Sequence, residues 1–374
     1  MPSQTHQPPA PTASSTRDPW FDNAKMALVL LVVIGHSWTL LPKTATQDVL
    51  YDFLYVWHVP AFVLVTGYLS RSFAWERARM SRLVRTVAVP YVVFEMLLAL
   101  FRILVGGEEL DDLFLDPHWP MWYLSALFFW RLLTPLFKPL WGGMAIAVAV
   151  VTSLVAGLYA GNTFDVARVL GLLPFFVLGL KATPERLELL RSGKVKVWAV
   201  GILATIFVLS FWTDTWATTE YLYYRALYED LPGSDLRSAA TRGVLLVAGT
   251  LGALAFLALV PRVTGWFSRM GTWTLVVYLF HGFVIKSAEY AGYTGWASDH
   301  VALSLVLTTL GAAVLALLLA WRPLASRLNR VVDPVGFAKG EVNKAHELRV
   351  ATARADDIAE AVQEAVDRTT AGSR

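Results

Sequence analysis

The sequence has no cysteine, and only 16% of its 374 residues are charged. The absence of cysteine excludes disulfides, thiolate nucleophiles, cysteine-based metal sites and S-acylation at cysteine. Four motifs are also missing: G-x-S-x-G, G-x-x-x-x-G-K, G-x-G-x-x-G and H-E-x-x-H. Their absence argues against a serine hydrolase, an ATP-driven pump, a dinucleotide enzyme and a zincin. The net charge of +3 is small for this length and does not indicate nucleic-acid binding.

Hydrophobic residues, in contrast, make up 56% of the chain, and the mean hydropathy is +0.50. Apolar runs long enough to span a bilayer recur along the sequence. The composition therefore predicts an all-α, polytopic integral membrane protein with about ten transmembrane helices. The predicted spans are 24–42, 51–69, 83–105, 119–138, 141–160, 165–181, 195–212, 238–260, 271–289 and 301–321.

The two ends of the chain differ from the membrane domain, which we place at residues 20–325. Residues 1–19 are rich in Pro, Ser and Thr and are predicted to be disordered and cytoplasmic. They lack the apolar core and the cleavage site of a signal peptide. Residues 332–374 are rich in Ala and Glu with a weak apolar stripe, which predicts a cytoplasmic tail that is helical or disordered.

The charges of the predicted loops alternate in sign. The segment after span two carries five arginines, whereas the next loop carries five acidic residues and no lysine or arginine. Basic loops mark the cytoplasmic side of a membrane. We therefore expect a multi-pass protein of the inner (cytoplasmic) membrane, with both termini in the cytoplasm.

The first span carries three ionisable side chains, Asp22, Lys25 and His36, on or near one face. Lys25 and His36 are eleven residues apart, about three turns, and thus roughly 16 Å apart along the axis. An ionisable residue inside a transmembrane helix indicates a functional site by default. The alternative is a flanking lysine with a structural histidine.

The second span contains His58 and, two residues later, Pro60, which can kink the helix. Because this span runs in the opposite direction to the first, His58 and His36 are expected at similar depth on adjacent helices. Imidazole is the usual general base, so such a pair can serve a proton transfer. A structural hydrogen bond between the two helices explains the pattern equally well.

Two further groups, Glu95 in span three and His281 in span nine, are predicted near mid-membrane. A buried carboxylate needs a partner, and a histidine or arginine of a neighbouring helix, such as Arg131, is the natural one. Both residues are site candidates, although buried pairing alone would explain them.

Aromatic and basic residues near the helix ends have simpler explanations. Trp119 is predicted to be an interfacial anchor, whereas Trp122 is open between an anchor and the wall of a binding site. Arg102 and Arg168 lie near outer helix ends, where they are expected to snorkel and to be structural.

Several of these segments together resemble the membrane-bound acyltransferase 3 family, especially its fucose 4-O-acetylase-like members. The resemblance covers roughly residues 20 to 325 and rests on the order of short motifs. These are D-N-A-K with an apolar run and G-H-S, F-x-Y-x-W-H-V-P-A-F-x-x-x-x-G-Y-L-x-R, W-Y-L-x-A-L-F, L-P-F-F-V-L-G and Y-L-F-H.

This resemblance implies a ten-helix inner-membrane enzyme that O-acylates extracytoplasmic glycans or related acceptors. The acyl donor is cytoplasmic, commonly acetyl-CoA, and no permanently bound cofactor is expected. His36 matches the motif histidine of the family, His58 belongs to its F-H-x-P segment, and Arg71 matches its later arginine. Lys25 stands where the family usually has arginine, so the charge is kept but the bidentate fork is lost.

The positions of the residues agree with a cytoplasmic donor and an extracytoplasmic acceptor. Lys25, Arg71, Arg82 and Arg85 are predicted on the cytoplasmic side, where cations can neutralise the phosphates of CoA. His36 and His58, with Asp22, are the predicted catalytic residues, and His36 is either a general base or a transient carrier of the acyl group. The expected partners are acyl-CoA, a glycan or related hydroxyl acceptor and membrane lipid, and no metal site is predicted.

Two other functional classes remain open from the sequence. A secondary transporter or exporter of a glycan or acylated solute would use the same histidines as a proton relay. A purely scaffolding membrane protein fits the buried histidines poorly.

Overall fold

The computed structural model describes residues 18–110, 115–161 and 163–334, and scattered positions between 336 and 358. Every regular element within these residues is a helix, so the predicted all-α fold is confirmed. Residues 1–17, most of the predicted N-terminal segment, lie outside the described residues. In the predicted C-terminal tail, the described positions from Pro334 to Ile358 are helical, and residues 359–374 lie outside them.

Each of the ten predicted spans coincides with a helix. Within the described residues, seven helices are long and apolar enough to cross a membrane, and a pair bent by 56° makes an eighth. The remaining two, α4 and α9, have 16 and 17 residues. The chain is thus a multi-pass membrane protein. The helices are α1 (Pro19–Ser37), α2 (Ala45–Leu69), α3 (Arg77–Leu104), α4 (Trp122–Phe137), α5 (Gly142–Tyr159), the bent α6 (Thr163–Gly171 with Leu173–Lys181), α7 (Gly193–Leu209), α8 (Asp235–Leu259), α9 (Thr274–Tyr290) and α10 (Val301–Ala320).

Short helices connect the spans, and one amphipathic helix, α11 (Arg322–Val332), follows α10. It packs against α9 and α10. The connecting helices are Pro184–Glu188, Thr213–Trp216, Thr219–Tyr223, Trp266–Met270 and Tyr293–Asp299.

Polar side chains cap the first turns of α1 and α2. Asp18 accepts a hydrogen bond from the main-chain N–H of Trp20 at 2.9 Å, and Pro19 occupies the first turn of α1. Thr44 caps α2 in the same way, with 3.2 Å to the N–H of Gln47. Such caps satisfy N–H groups that have no partner within the helix.

α2 lies at the centre of the bundle, where it packs against α1, α6 and α8. Two glycines bring α2 and the second half of α6 into backbone contact. A Cβ on Gly67 would lie 2.0 Å from the carbonyl oxygen of Phe176, and one on Gly179 would lie 1.9 Å from that of Leu64. Small residues at helix crossings are the usual means of close packing in membranes.

The two ends of the bundle carry different side chains. At the Lys25 end, Phe21 of α1 stacks on Tyr68 of α2 at 4.6 Å, and the Arg71 guanidinium lies 3.5 Å from the Tyr68 ring centroid. At the opposite end, which we call the Glu108 end, the loop after α3 contacts α9 through Glu108. α1 runs from the Lys25 end to the Glu108 end, and His36 lies in its last turn.

Candidate active site

His36 and His281 form a buried imidazole pair between α1 and α9. Nδ1 of His36 lies 2.9 Å from Nε2 of His281, and the two ring centroids are 5.2 Å apart. The other ring nitrogen of His281, Nδ1, lies 2.7 Å from the carbonyl oxygen of Tyr278 and 3.2 Å from that of Val277. The pair joins residues 245 positions apart in the sequence.

Trp119 covers the His36 ring. Its ring centroid lies 4.6 Å from that of His36 and 6.3 Å from that of His281. Trp119, which the sequence predicts to be an interfacial anchor, therefore forms a wall of the site. It belongs to the loop that precedes α4. Tyr278 donates a hydrogen bond to the carbonyl oxygen of Pro120 and so ties this loop to α9.

A cavity of about 210 Å³ adjoins His36, and we call it the His36 cavity. Its walls come from α1, α2, α4 and the bent helix α6, with the connection between α7 and α8. Apart from His36, its polar and aromatic lining includes Tyr55, Trp119, Trp122, Arg168 and Tyr223. An aromatic cavity with a few convergent polar groups is typical of a small-molecule site.

Arg168 contributes a cation to this cavity. The side chain of Arg168 is only 14% exposed, and its Nη1 lies 3.4 Å from the Asp165 carboxylate. Its guanidinium carbon lies 5.0 Å from the ring centroid of Trp122 and 5.9 Å from that of Tyr223. The predicted snorkelling of Arg168 is wrong, because its side chain is buried beside this cavity, whereas its predicted structural role agrees with the ion pair to Asp165 and stays a prediction. The sequence offered one signal, an aspartate three residues before the arginine.

The backbone before Arg168 is strained. Phe164 and Asp165 both adopt left-handed conformations with φ of 53°, and Asp165 is 1% exposed. Such conformations cost of order 1–3 kcal/mol each and cluster at functional sites. Here the strain places a carboxylate beside Arg168 at the wall of the cavity.

A larger cavity of about 570 Å³, the vestibule, adjoins the His36 cavity at the Glu108 end. Thr39 and Trp119 line both cavities. The lining of the vestibule includes three cations and three carboxylates: Arg102, Arg225, Lys286, Glu109, Asp116 and Glu289. The balance gives a polar approach to His36 that carries little net charge.

Glu108 holds the mouth of the vestibule together. It accepts hydrogen bonds from Arg102, from Tyr290 and from Lys286, the last at 3.2 Å. Partial burial raises the pKa of the Glu108 carboxyl, but these hydrogen bonds outweigh burial and lower the pKa to about 2. The carboxylate therefore stays ionised at neutral pH and ties the end of α3 to α9.

His58 does not pair with His36, which is where the structure departs from the predicted pair. Its Nδ1 lies 2.7 Å from the Leu54 carbonyl oxygen of its own helix, and it is 1% exposed. Its ring contacts the ring of Tyr55 at 4.7 Å between centroids. Since Tyr55 lines the His36 cavity, His58 supports a wall of that cavity rather than lining it.

Asp22 lies too far from His36 to act on it. The two residues are fourteen positions apart, roughly 21 Å along α1. Asp22 instead pairs with Lys25, with 2.8 Å between the carboxylate and the ammonium. Asp22 and Lys25 thus lie at one end of α1 and His36 at the other.

The remaining predicted cations lie at the Lys25 end. Arg71 donates to the main-chain oxygens of Tyr68 and Ala182 at 3.0 and 3.1 Å. Arg82 is exposed, whereas Arg85 is half buried and lies 3.9 Å from the Asp333 carboxylate. Arg85 belongs to a π-helical turn, Val84–Ala88, inside α3. Single π-turns are frequent at functional sites.

Glu95 is fully buried, as predicted, but its partner is His118 and not Arg131. One carboxylate oxygen of Glu95 accepts from the main-chain N–H of His118 at 2.7 Å and also contacts its ring Nδ1. The other, Oε2, has no hydrogen-bond partner among the described residues. Because His118 precedes Trp119, Glu95 fixes the loop that covers His36.

Together these contacts define the chemistry available at the site. An imidazole pair can accept and return a proton, and a nearby guanidinium can stabilise a developing negative charge. Trp119 and Trp122 offer flat apolar surfaces to a bound group. The arrangement suits the transfer of a small group.

The sequence profile of the acyltransferase 3 family, described as an acyltransferase domain, matches residues 18–322 and thus all ten spans. The chain belongs to this family and is a membrane acyltransferase, as the resemblance predicted. Among relatives, the nodulation protein NolL of Mesorhizobium japonicum is 24% identical over 356 residues, which cover 86% of this chain and 90% of that protein. No solved structure matches the chain.

Proposed function

We propose that this membrane acyltransferase moves an acyl group, in the first instance acetyl, from acyl-CoA to a hydroxyl of a glycan or related acceptor. The observation that carries the proposal is the His36–His281 pair, which borders a small aromatic cavity that also contains the Arg168 guanidinium. Family membership supports acyl transfer, and the adjoining vestibule provides room for a polar acceptor.

The proposed reaction uses His36 as a base. The acceptor oxygen forms a bond to the thioester carbonyl carbon while its proton moves to His36. The resulting oxyanion is stabilised by the Arg168 guanidinium. The carbon–sulfur bond then breaks, and the CoA thiolate takes the proton back from His36. In the carrier variant, His36 itself bonds to the carbonyl carbon before the acceptor does.

We further propose that the donor and the acceptor reach the site from opposite ends of the bundle. In the proposed orientation the Lys25 end and both termini face the cytoplasm, and the protein lies in the inner membrane. Lys25, Arg71, Arg82 and Arg85 are then available to bind the phosphates of CoA. The vestibule opens on the other side, towards an extracytoplasmic acceptor that delivers its hydroxyl to His36.

A transporter that uses these histidines as a proton relay is less well supported, because the family match is to an acyltransferase domain. The two classes differ in detergent, where no gradient exists. A transferase releases free CoA from acetyl-CoA when an acceptor is present, whereas a transporter releases none.

The test of the proposal is therefore an assay of the purified protein with acetyl-CoA and a panel of hydroxylated glycans. A thiol reagent reports only released CoA, because the protein has no cysteine of its own. Mass analysis of the acceptor detects the ester. His36→Ala is expected to lower turnover by about 10²–10⁴ while it inserts and purifies like the parent.

A matched control is His300→Ala, because His300 is an exposed histidine outside the cavity. It is expected to keep parental turnover. Near-parental turnover in a well-folded His36→Ala protein would exclude the proposed chemistry at this site.

A further inference from the structure

We propose that His281 is a positioning residue that fixes the tautomer of His36 and leaves the Nε2 lone pair of His36 free for the reaction. This inference rests on the proposed function, and it assigns a role to a residue that touches neither donor nor acceptor. It follows from the direction in which each hydrogen bond of the pair must run.

The first step is the tautomer of His281. Its Nδ1 lies 2.7 Å from the carbonyl oxygen of Tyr278 and 3.2 Å from that of Val277. A carbonyl oxygen only accepts, so Nδ1 of His281 must carry the proton. In a neutral imidazole the other nitrogen, Nε2, is then an acceptor.

The second step is the tautomer of His36. Its Nδ1 lies 2.9 Å from the Nε2 acceptor of His281 and must therefore donate. Neutral His36 consequently carries its proton on Nδ1, and its Nε2 holds a lone pair. That lone pair therefore belongs to a ring that lines the His36 cavity.

The backbone of α9 holds the hydrogen-bonded chain that runs from its carbonyl oxygens through His281 to His36. Both accepting carbonyls belong to the turn of α9 that precedes His281, so the helix itself fixes the His281 ring. Tyr278, in the same turn, is tied to Pro120 beside the loop that covers His36. A partner on the far nitrogen is the general device by which proteins select one nitrogen of a reactive histidine.

The same lone pair serves both versions of the chemistry. As a base, Nε2 of His36 takes the acceptor proton, and the imidazolium keeps its Nδ1–H bond to His281. As a carrier, Nε2 forms the bond to the carbonyl carbon while the carbon–sulfur bond breaks and the thiolate leaves. With the opposite tautomer, Nε2 carries a proton and can do neither.

A spectroscopic test does not depend on activity. The ¹⁵N shifts of His36 are measured in the purified full-length protein and assigned by comparison with His36→Gln. The expected result is a protonated Nδ1 and an unprotonated Nε2, with a mixture of both tautomers in His281→Leu. A protonated Nε2 in the parent, or an unchanged tautomer in His281→Leu, would overturn the proposal.

A kinetic test separates positioning from packing. His281→Leu is expected to lower kcat by roughly 10- to 100-fold, the loss typical when the outer hydrogen-bond partner of a metal-binding histidine is removed, with little change in the KM for acetyl-CoA. His281→Gln should recover much of the loss, because the amide oxygen can accept from His36 Nδ1 while its NH₂ donates to the Tyr278 carbonyl. Equal loss in both variants at equal thermal stability would overturn the role.

A further variant keeps the test decisive if His281→Leu does not fold. His281→Asn carries the same amide as glutamine on a side chain shorter by one methylene, so it cannot reach both partners. It is expected to behave like the leucine variant, and parental activity in it would also overturn the role. If the parent protein transfers no acyl group at all, the proposed function fails, whereas the ¹⁵N shifts still decide the tautomer.

Discussion

Two buried hydrogen-bonded contacts organise the residues of this site, one between His36 and His281 and one between Glu95 and His118. His36, Glu95 and His281 stand out because an ionisable group in an apolar span is costly. Their contacts depend on which helices are neighbours and on how each is rotated, and neither is encoded in the spacing along one helix. The sequence therefore predicted the pair His36–His58 by depth, whereas the structure pairs His36 with His281.

The role of a single residue, Arg168, can be tested by substitution. Arg168→Ala is expected to lower kcat by about 10²–10³, because it removes the cation that would stabilise the oxyanion. Arg168→Lys should keep part of the rate, since lysine retains the charge but not the planar fork. The measurement is CoA release at saturating acetyl-CoA.

Arg237→Ala is the matched control for this experiment, because Arg237 is an exposed arginine at the start of α8. It should leave kcat unchanged. If Arg168→Ala matches Arg237→Ala in a folded protein, Arg168 is only a structural residue.

At the scale of elements, hydrophobicity predicted the helices well and their irregularities poorly. All ten spans coincide with helices because length and apolarity are properties of the local sequence. The bend within α6 and the π-turn Val84–Ala88 depend on packing against neighbours. The bend matters most for the site, because it brings Arg168 to the cavity rather than to the membrane surface.

The contact between α2 and α6 supports this bend and can be tested on a glycine. Gly179→Ala is expected to destabilise the protein by about 1–3 kcal/mol, because its Cβ would lie 1.9 Å from the Leu64 backbone oxygen and the helices must separate. Thermal unfolding in detergent measures the effect. Gly201→Ala is the control, since nothing lies within 4 Å of its added Cβ, and an equal loss in both variants would show that close packing is not the cause.

At the scale of the whole molecule, the proposed function depends on the distance between the cations of the Lys25 end and the His36 cavity. The Lys25–Asp22 pair lies at one end, whereas His36, Trp119 and the vestibule lie towards the other. Buried apolar side chains of α1, such as Leu28 and Val33, separate the two levels. In the proposed mechanism, an acyl group that enters beside the cations therefore crosses most of the bundle to reach His36.

This argument requires a definite orientation, which cysteine labelling can test. Arg77 and Glu109 are both exposed and lie at opposite ends of α3, a helix of 28 residues, about 42 Å long. The chain has no cysteine, so Glu109→Cys and Arg77→Cys each introduce a single reactive thiol. Because basic segments stay in the cytoplasm, an impermeant thiol reagent should label Glu109→Cys in intact cells and Arg77→Cys only after the membrane is permeabilised. The reverse pattern would place the vestibule on the cytoplasmic side, and the donor would then approach His36 through the vestibule instead of from the Lys25 end.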